Sequence, residues 1–461
     1  MTHLHIIGIC GTAMAGIAAL ARDAGMRVTG SDSGVYPPMS DFLAELEIEV
    51  FEGFRPANLD PAPDQVLVGN AISRGNPELE ALMDRGIPYR SGAEWLFENL
   101  LERRHPVVVT GTHGKTTTSS IMAHVWEQAG LKPGFMIGGI PRDFGRGVRY
   151  PGGEWVVVEG DEYDTAFFDK RPKFLHYRPK TLILHNLEYD HADIYDDLEA
   201  IRRQFRLLLR TVPGSGLILA NGDDPEIEAL AEQAFSPVVR YGFGEGLPFQ
   251  ARLDSPDGRR WTVLREGKEA LSVSWNMLGR HNVMNGLAAA AAALSHNLDA
   301  EMVAEALNGF QGVARRLQLC FEIGGISVYD DFAHHPTAIE TTLKGMHAMV
   351  GDSGRVWAVV EPRSNTMRRR IHQDRLAAAL APADRVLITR PAARGLPPEE
   401  LLDVETIVRD LNAGSGEAVV IADVEEALAQ LGGQLATGDH VVVMSNGGFG
   451  GIHERLRDLL T

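Results

Sequence analysis

The sequence predicts an α/β protein built from three units, and three observations support this prediction. The chain has 461 residues, whereas one domain commonly takes about 150. Short apolar runs rich in β-branched residues alternate with helical patterns along the whole chain, as strands and helices do in such folds. This alternation breaks at a basic segment, residues 102–106, and again at the Phe310-Gln311-Gly312 turn, after which it restarts.

The first unit is predicted to contain a Rossmann-like phosphate site. Its predicted strands are residues 4–10, 26–30 and 65–70, and its first helix is residues 12–24. The glycine-rich segment between the first strand and the helix contains Gly11 and Thr12, but it does not match the dinucleotide pattern G-x-G-x-x-G. Asp32 follows the second strand. We therefore expect the loop to bind a diphosphate with Asp32 beside it, and a turn without a ligand is the alternative.

The second unit begins with the most informative stretch of the chain, residues 108–118. A β-branched run ends in glycines, Lys115 and Thr116 before a helical pattern, as in a strand–loop–helix that binds phosphate. In such a loop the backbone amides hold phosphate oxygens, the lysine reaches the β- and γ-phosphates, and a hydroxyl binds Mg²⁺. The usual first glycine position is occupied by Val109. Nucleotide binding is the resulting prediction, and a tight turn without a ligand is the alternative.

The rest of the second unit predicts a mostly parallel sheet that is covered on both faces. Its apolar strands are residues 155–158, 181–185 and 216–220, and a long alanine-rich helix follows at 281–295. Glu159 comes directly after the first of these strands, where a carboxylate beside a phosphate loop is expected to bind Mg²⁺. A solvated acidic loop is the alternative interpretation.

Two histidine-containing segments of this unit are further candidates. His191 follows the next strand and could bind a second metal ion, although a lone histidine is more often structural. His281 and Asn282 open the alanine-rich helix. An asparagine amide can bind an adenine edge, but both residue types are also common where helices begin.

The third unit repeats the strand–helix alternation. Its predicted strands are residues 326–329, 355–360, 385–388, 418–421 and 440–444. Arg315 and Arg316 precede it, and a guanidinium there could reach a γ-phosphate when domains close. Asp331, His334 and His335 follow its first strand, and they could serve a ribose, a metal ion or a proton transfer. The residue types alone do not choose among these roles.

Two more strand ends in the third unit suit an anionic, zwitterionic or peptide substrate. Arg363, Ser364 and Asn365 open a segment rich in arginine, and Asn446 and Gly447 lie in a glycine-rich loop. Arginine forks pair with carboxylates, and glycine loops donate backbone hydrogen bonds. A solvated helix start and a flexible loop are the respective alternatives.

Composition excludes several classes of partner. The net charge of −18 opposes binding to nucleic acid or to an acidic membrane surface. Cys10 and Cys320 are predicted to be small buried hydrophobic residues rather than a disulfide framework. The chain has neither a basic amino-terminal segment nor an apolar run of about 18 residues. We therefore expect a cytoplasmic protein that binds neither nucleic acid nor membrane.

Taken in order, these motifs resemble the Mur ligases throughout the length of the chain. The matching residues are Thr110 to Thr117, Glu159, Asn186 to His191, His281-Asn282, Arg315-Arg316, and Asp331 with His334-His335-Pro336. A phosphate loop of the form Gly-Thr-x-Gly-Lys-Thr, which lacks the early glycine, is that family's own variant and accounts for Val109. The resemblance implies a Rossmann-like N-terminal domain (1–104), a central P-loop ATPase-like domain (105–312) and a Rossmann-like C-terminal domain (313–461).

The resemblance also implies ligands for these residues. ATP would be bound by Gly111, Thr112, His113, Gly114, Lys115, Thr116, Thr117, His281, Asn282 and Asp331. Mg²⁺ would be held by Thr116, Glu159 and His191. The sugar nucleotide and the incoming amine substrate would be bound by Gly11, Thr12, Asp32, Arg363, Ser364, Asn365, Asn446 and Gly447. Catalysis would involve Lys115, Glu159, His191, Arg315, Arg316, His334 and His335. Some family members carry a carbamylated lysine near the position of Arg206, where this sequence has no lysine close by.

Several motifs are similar to those of members that act on UDP-N-acetylmuramate in murein peptide recycling. The expected activity is ATP-dependent joining of this sugar nucleotide to the tripeptide L-alanyl-γ-D-glutamyl-meso-diaminopimelate through an acyl phosphate, with release of ADP and phosphate. A ligase that adds L-alanine is the near alternative. A nucleotide-dependent phosphotransferase or regulatory switch is the distant one, but it would not need a separate sugar-nucleotide domain.

Overall fold

A computed structural model describes residues 1–37, 39–190, 194–414 and 416–461. Three large sheets follow one another along the chain, and helices pack against each of them. The predicted α/β class with three units is therefore confirmed. Among the described residues, no helix combines the length and apolar character needed to cross a bilayer.

The first unit is a five-stranded parallel sheet. Its strands are β1 (His3–Ile7), β2 (Arg27–Asp32), β3 (Glu49–Glu52), β4 (Gln65–Val68) and β5 (Tyr89–Ser91), in the order β3-β2-β1-β4-β5. Its helices are α1 (Thr12–Asp23), α2 (Met39–Glu45), α3 (Pro77–Asp84) and α4 (Gly92–Leu96). The predicted first strand was too long: Gly8 adopts φ +84°, which leaves the extended conformation, so the strand ends at Ile7.

The second unit is a ten-stranded sheet with the order β17-β16-β15-β14-β13-β12-β6-β9-β7-β8. Its first strands are β6 (His105–Thr110), β7 (Gly134–Met136), β8 (Val148–Arg149) and β9 (Trp155–Glu159). A separate hairpin is formed by β10 (Asp164–Ala166) and β11 (Asp169–Pro172). The sheet continues with β12 (Thr181–Leu184), β13 (Leu217–Asn221), β14 (Val238–Gly242), β15 (Phe249–Leu253), β16 (Arg260–Arg265) and β17 (Lys268–Ser274). The predicted linker 102–106 was too long by two residues, because β6 starts at His105.

The central strands of this sheet are parallel and buried on both faces, as predicted. The helices of the unit are α5 (Lys115–Gln128), α6 (Phe174–Tyr177), α7 (Leu198–Leu209), α8 (Pro225–Ala231), α9 (Arg280–Ser295) and α10 (Ala300–Gly309). Along β6, Val107 and Val109 belong to the apolar cluster that includes α5 and α9, whereas Val108 belongs to the cluster on the other face. That second cluster also contains Ile17 of α1 and Val148 of β8, so the first two units share one hydrophobic core.

The third unit has the strand order β18-β19-β23-β20-β21-β22. Its strands are β18 (Gln318–Ile323), β19 (Ile326–Asp331), β20 (Val356–Val360), β21 (Arg385–Thr389), β22 (Glu417–Ile421) and β23 (His440–Met444). Its helices are α11 (Pro336–Val350), α12 (Gln373–Leu380), α13 (Val404–Asn412), α14 (Val424–Gln434) and α15 (Ile452–Leu460). All strands except β18 are parallel. Their carboxyl ends therefore meet at one edge, where ligands bind in open parallel sheets.

Candidate active site

One cavity of about 1000 Å³ is lined by residues from all three units. Thr12 and Ala13 contribute from the first unit, the phosphate loop and Glu159 from the second, and the segments after β19, β20 and β23 from the third. The strand ends that the sequence singled out separately thus face a common space. A cleft between domains is a usual place for a binding site.

The phosphate loop is shaped by its glycines and by one asparagine. Gly114 has φ +83°, and a Cβ there would lie 2.5 Å from the Asn285 side-chain oxygen, so only glycine fits. Asn186 accepts a hydrogen bond from the backbone N–H of His113 (2.7 Å) and donates to its carbonyl (3.0 Å). Val109 lies within β6 and is fully buried. The early glycine of common loops is therefore replaced here by a residue of the strand itself.

Lys115 lies at the start of α5 and is held by the protein's own oxygens. Its Nζ donates to the carbonyl of Gly111 (2.7 Å) and forms an ion pair with Glu162 (3.0 Å). Burial acts to lower the pKa of Lys115, but the charges of Glu162 and Asp161 outweigh it, so the pKa is raised. Lys115 therefore remains a cation at neutral pH. The sequence motif did not single out Glu162 as its partner.

Thr116 and Glu159 lie together and fit a hard cation. Glu159 is the last residue of β9, which pairs directly with β6, and its Oε1 accepts from the Gly138 N–H (2.9 Å). Burial raises the pKa of Glu159, although Lys115 and Arg316 oppose the shift. A hydroxyl and a half-buried carboxylate are oxygen donors of the kind that Mg²⁺ takes in nucleotide sites. His191, the other predicted metal ligand, lies outside the described residues.

A histidine cluster joins the phosphate loop to the third unit. The rings of His113 and His335 are 4.5 Å apart, and Glu188 lies 3.8 Å from the first and 3.9 Å from the second. Thr337 donates to Glu188 (2.8 Å), which ties α11 to the second unit. These three side chains could hold a metal ion, since their ligand atoms lie within 4.8 Å of one another. However, His335 Nδ1 already accepts from the Thr337 N–H (3.3 Å) and caps α11.

His334 has a different environment from its neighbour His335. Its Nδ1 lies 2.9 Å from the carbonyl oxygen of Phe332. A carbonyl can only accept, so Nδ1 carries the hydrogen and Nε2 is the basic atom of the neutral ring. His334 also lines the cavity. Of the two histidines, His334 is therefore the one whose geometry suits proton transfer.

His281 and Asn282, the residues predicted to bind adenine, have different environments. The Asn282 amide donates to the Leu278 carbonyl (2.8 Å) and accepts from Asn285 (3.1 Å), so it braces the start of α9. His281 Nδ1 is buried without a hydrogen-bond partner among the described residues. The Arg280 guanidinium stacks 3.5 Å from the Phe243 ring centre, and both residues line the same end of the cavity. The sequence motifs did not indicate Phe243.

Arg315 and Arg316 point in different directions. Arg315 pairs with Asp330 (3.0 Å) and donates to the Gly447 carbonyl (2.7 Å), so it holds the glycine loop of the third unit. Arg316 reaches the second unit, where its Nη2 donates to Thr116 Oγ1 (3.2 Å). Only Arg316 of the pair lines the cavity. The structure therefore places one arginine at the phosphate loop, a distinction that the sequence left open.

Asp331 and Asp32 both shape loops. Asp331 is 5% exposed and accepts from the backbone N–H groups of Leu317 (2.6 Å) and Ala333 (2.8 Å). Burial raises its pKa to about 6. Asp32 accepts in the same way from Cys10 (2.9 Å) and Gly34 (3.0 Å). Asp331 lines the cavity, whereas Asp32 and Gly11 lie behind Thr12 and are not among its lining residues in the described parts of the chain.

The third unit contributes a cationic wall. Arg363, Ser364, Asn365, Asn446 and Arg394 line the cavity there. A Cβ at Gly447 would lie 2.0 Å from Arg363 Nη1, so the glycine makes room for this guanidinium. The nearly buried Arg368 donates to Asn365 (3.0 Å) and to the Ala393 carbonyl (3.2 Å). It thereby fixes the loop that presents Arg394, which the sequence motifs missed.

Buried histidines predict that acid destabilises the protein. Burial lowers the pKa to about 4 in five cases, namely His105, His185, His281, His335 and His372. In the unfolded chain these rings take up protons near pH 6.5, whereas in the folded protein they stay neutral down to about pH 4. Protonation therefore favours the unfolded chain, and the protein loses stability as pH falls from about 6.5 towards 4. We expect the free energy of unfolding from urea titration to be lower at pH 5 than at pH 7.5 by at least about 2 kcal/mol.

His335→Asn isolates one contribution to this pH dependence. Asparagine keeps a cap for α11 but does not titrate, so the variant should lose less stability between pH 7.5 and 5 than the wild type. Equal losses in the two proteins would exclude His335 as a source of the effect.

Comparison with known proteins places these features in one family. Residues 3–104 match the catalytic domain of the Mur ligase family, residues 109–293 the Mur ligase middle domain, and residues 315–447 the Mur ligase glutamate ligase domain. The chain is 46% identical to the UDP-N-acetylmuramate–L-alanyl-γ-D-glutamyl-meso-2,6-diaminoheptandioate ligase of Escherichia coli K12, over 99% of this chain and 97% of that protein.

Solved structures agree with this placement. A murein peptide ligase from Psychrobacter arcticus is 40% identical, with a TM-score of 0.73 over 100% of this chain and 99% of its own. The UDP-N-acetylmuramate-alanine ligase of Thermotoga maritima shares the fold, with a TM-score of 0.81 at 24% identity over 99% of both chains. The chain belongs to the Mur ligase family.

Proposed function

We propose that this protein is an ATP-dependent ligase of murein peptide recycling. It joins L-alanyl-γ-D-glutamyl-meso-diaminopimelate to UDP-N-acetylmuramate and releases ADP and phosphate. The observation that carries the proposal is the single cavity in which a phosphate loop, the start of α1 and a cationic wall face one another. The 46% identity to the Escherichia coli ligase supports the same substrates. Because ATP and sugar nucleotides are cytoplasmic compounds, we place the reaction in the cytoplasm.

Motifs outside the phosphate loop support the peptide as acceptor. Four segments resemble the recycling member of the family, murein peptide ligase, and they are residues 70–77, 167–171, 361–367 and 445–451. The last two contribute Arg363, Ser364, Asn365 and Asn446 to the cationic wall. We propose the domain boundaries 1–104, 105–312 and 313–461, in which these two segments belong to the domain that receives the amine substrate.

In the first chemical step, an oxygen of the lactyl carboxylate attacks the γ-phosphorus of ATP. The bond from that phosphorus to the bridging oxygen of ADP breaks, and an acyl phosphate forms. Negative charge grows on the phosphoryl oxygens, and Lys115 and Arg316 are the cations that the protein places beside it. Thr116 and Glu159, with His191 as a proposed further ligand, would hold Mg²⁺, which when bound neutralises phosphate charge.

In the second step, the α-amine of the peptide's L-alanine attacks the acyl carbon. Phosphate leaves with the electrons of the carbon–oxygen bond, and the nitrogen gives up a proton. His334 Nε2 is the proposed acceptor of that proton, because His335 caps α11 and its pKa is lowered to about 4 by burial. Closure of the third domain over the cavity would keep water from the acyl phosphate.

Phosphate release tests the proposal directly. The protein is incubated with ATP, Mg²⁺ and UDP-N-acetylmuramate, and either the tripeptide or L-alanine is added. We expect release that requires the tripeptide. Release that depends on L-alanine would support the alanine-adding alternative, and release that does not need UDP-N-acetylmuramate would exclude a ligase of this kind.

Arg394 is expected to contribute to peptide binding. The carboxyl ends of β19, β23, β20 and β21 follow one another across the sheet, and Arg394 follows the last of these strands. It therefore lies farther from the phosphate loop than Arg363, where a distal carboxylate of the peptide would reach. Arg394→Ala should raise KM for the tripeptide about tenfold and leave KM for ATP unchanged.

Arg390→Ala is the matched control for Arg394→Ala. Arg390 belongs to the same loop but pairs with Glu405 (2.7 Å) and does not line the cavity in the described parts of the chain. Equal KM values for the tripeptide in both variants and the wild type would contradict a role for Arg394.

A further inference from the structure

A short segment, Gly138 to Asp143, contacts Glu159, α5 and the stretch of chain that precedes Arg316. We call it the bridging segment. Its first residue, Gly138, donates to the carboxylate of Glu159 (2.9 Å). Its last residue, Asp143, pairs with His124 on α5 (3.2 Å). The bridging segment therefore lies against both the proposed metal ligand and the helix that follows the phosphate loop.

The same segment pairs with residues 310–317, the linker between the second and third units. Ala314 donates to the Ile140 carbonyl (2.9 Å), and Arg142 donates to the Gly312 carbonyl (3.0 Å). Pro141 and Val313 form an isolated antiparallel β-bridge. These contacts fix the backbone immediately before Arg316, the arginine that reaches Thr116.

Gly139 lies between the phosphate loop and this linker. A Cβ at Gly139 would be 2.6 Å from Thr116 Cγ2 and 3.1 Å from Val313 Cγ1. Its φ is outside the left-handed region, so alanine is allowed by the backbone and only the added methyl group would matter. Thr116 is 8% exposed and Val313 1%. The contact is therefore closely packed, and an extra methyl group has to displace one neighbour.

The bridging segment, rather than α5, is the side that would yield. Thr116 belongs to the first turn of α5, whose residues Thr116 to Ser120 are all buried. In the bridging segment, by contrast, Ile140 is 49% exposed and little packs over it. A methyl group at position 139 would thus push the bridging segment away from Thr116, and the linker that is hydrogen-bonded to it would move too and carry Arg316 with it.

We infer that the bridging segment positions Arg316 for transfer of the γ-phosphate, an inference that rests on the proposed function. Gly139 is the positioning residue on which this placement of Arg316 depends. Gly139 does not line the cavity in the described parts of the chain. It acts by allowing the linker to approach the phosphate loop closely enough for Arg316 to reach Thr116.

A double-mutant cycle tests this role. In Gly139→Ala we expect kcat to fall at least about tenfold, because a displacement of under 1 Å at a catalytic group has effects of this size. KM for ATP should change less than about threefold, since Lys115 and Thr116 keep their places. Thr116→Ser removes the Cγ2 methyl group of the closest contact but keeps the hydroxyl. In that background the same glycine substitution should cost less than about threefold in kcat.

The outcomes separate positioning from a general loss of structure. Gly214→Ala is the control, because no atom lies within 4 Å of a Cβ there, and its kcat and Tm should match the wild type. An equal kcat loss from Gly139→Ala in both backgrounds, or no loss at all, would overturn the inference. Absence of ligation by the wild type would instead count against the proposed function.

A crystal structure of Gly139→Ala provides a readout that does not depend on the reaction. The distance from Arg316 Nη2 to Thr116 Oγ1, 3.2 Å in the present structure, should exceed hydrogen-bonding range. An unchanged distance would overturn the positioning role whatever the substrates prove to be.

Discussion

Replacing Lys115 with methionine is expected to lower kcat for ligation by about 10³-fold, the largest single effect on this protein. The physical reason is that Lys115 is the cation at the phosphate loop. Its pKa is raised because Glu162 and Asp161 outweigh burial, so it is charged when the γ-phosphoryl group moves. Methionine keeps the length of the side chain and removes the charge. Single-turnover formation of ADP measures the step directly.

The same substitution also has a structural cost that has to be separated from catalysis. Glu162 is 3% exposed, and loss of its ion pair with Lys115 would remove a compensating cation from a buried carboxylate, which costs about 3 kcal/mol. The double variant Lys115→Met/Glu162→Gln removes both charges. We expect it to recover most of the Tm and none of the activity. Recovery of both would show that Lys115 serves stability alone.

Lys344→Met is the surface control for these variants. Lys344 lies on α11, its side chain is 63% exposed and it pairs with Glu340, so its loss should change neither kcat nor Tm measurably. A wild-type rate in Lys115→Met, with the control also unchanged, would contradict nucleotide binding by this loop in the proposed manner.

The sequence predicts much of this site because parallel strands bring their carboxyl ends together. If residues 105–110 and 155–159 form neighbouring strands, then Lys115 and Glu159 must lie close together. No further information is needed to predict this. The same reasoning accounts for Asp331, Arg363 and Asn446, which follow three adjacent strands of the third sheet. Each motif at a strand end is a short stretch of sequence, and the sheet brings several such stretches close together in space.

Other features depend on packing between distant segments and could not be predicted. The partner of Lys115 is Glu162, chosen from four neighbouring acidic residues by the path of the chain after β9. Asn282 has a side chain suited to adenine, yet its amide is used within α9 and against the Leu278 carbonyl. Arg394 reaches the cavity only because Arg368 holds its loop. Each of these is decided by a contact that has no sequence signature.

The directions of Arg315 and Arg316 also could not be predicted from the sequence. Arg315 adopts φ +60° and Leu317 φ +48°, so the chain turns sharply on either side of Arg316. Adjacent side chains therefore face different units. Asp331 stabilises this turn by accepting from the Leu317 N–H (2.6 Å).

Arg316→Ala is expected to lower kcat by about 10²-fold or more, with Tm nearly unchanged. The guanidinium is the only cation that the third unit places at Thr116 within the described chain, and an arginine at a transferring phosphoryl group commonly contributes at least this much. Its loss removes one hydrogen bond, to Thr116, and a contact of the guanidinium with the Phe332 ring (5.2 Å), so the folded state should lose little. Rapid-quench measurement of acyl-phosphate formation gives the rate, and KM for the tripeptide should be unaffected.

Arg315→Ala is the matched control, since the two arginines are neighbours with the same side chain. Arg315 binds Asp330 and the carbonyl oxygens of Ser445 and Gly447, so its removal releases the glycine loop and leaves three acceptors without a donor. We expect a lower Tm and a higher KM for the tripeptide, with a smaller loss in kcat than in Arg316→Ala. If the two variants exchanged these effects, the inward arginine would be Arg315, and the turn at residues 315–317 would have to open before phosphoryl transfer.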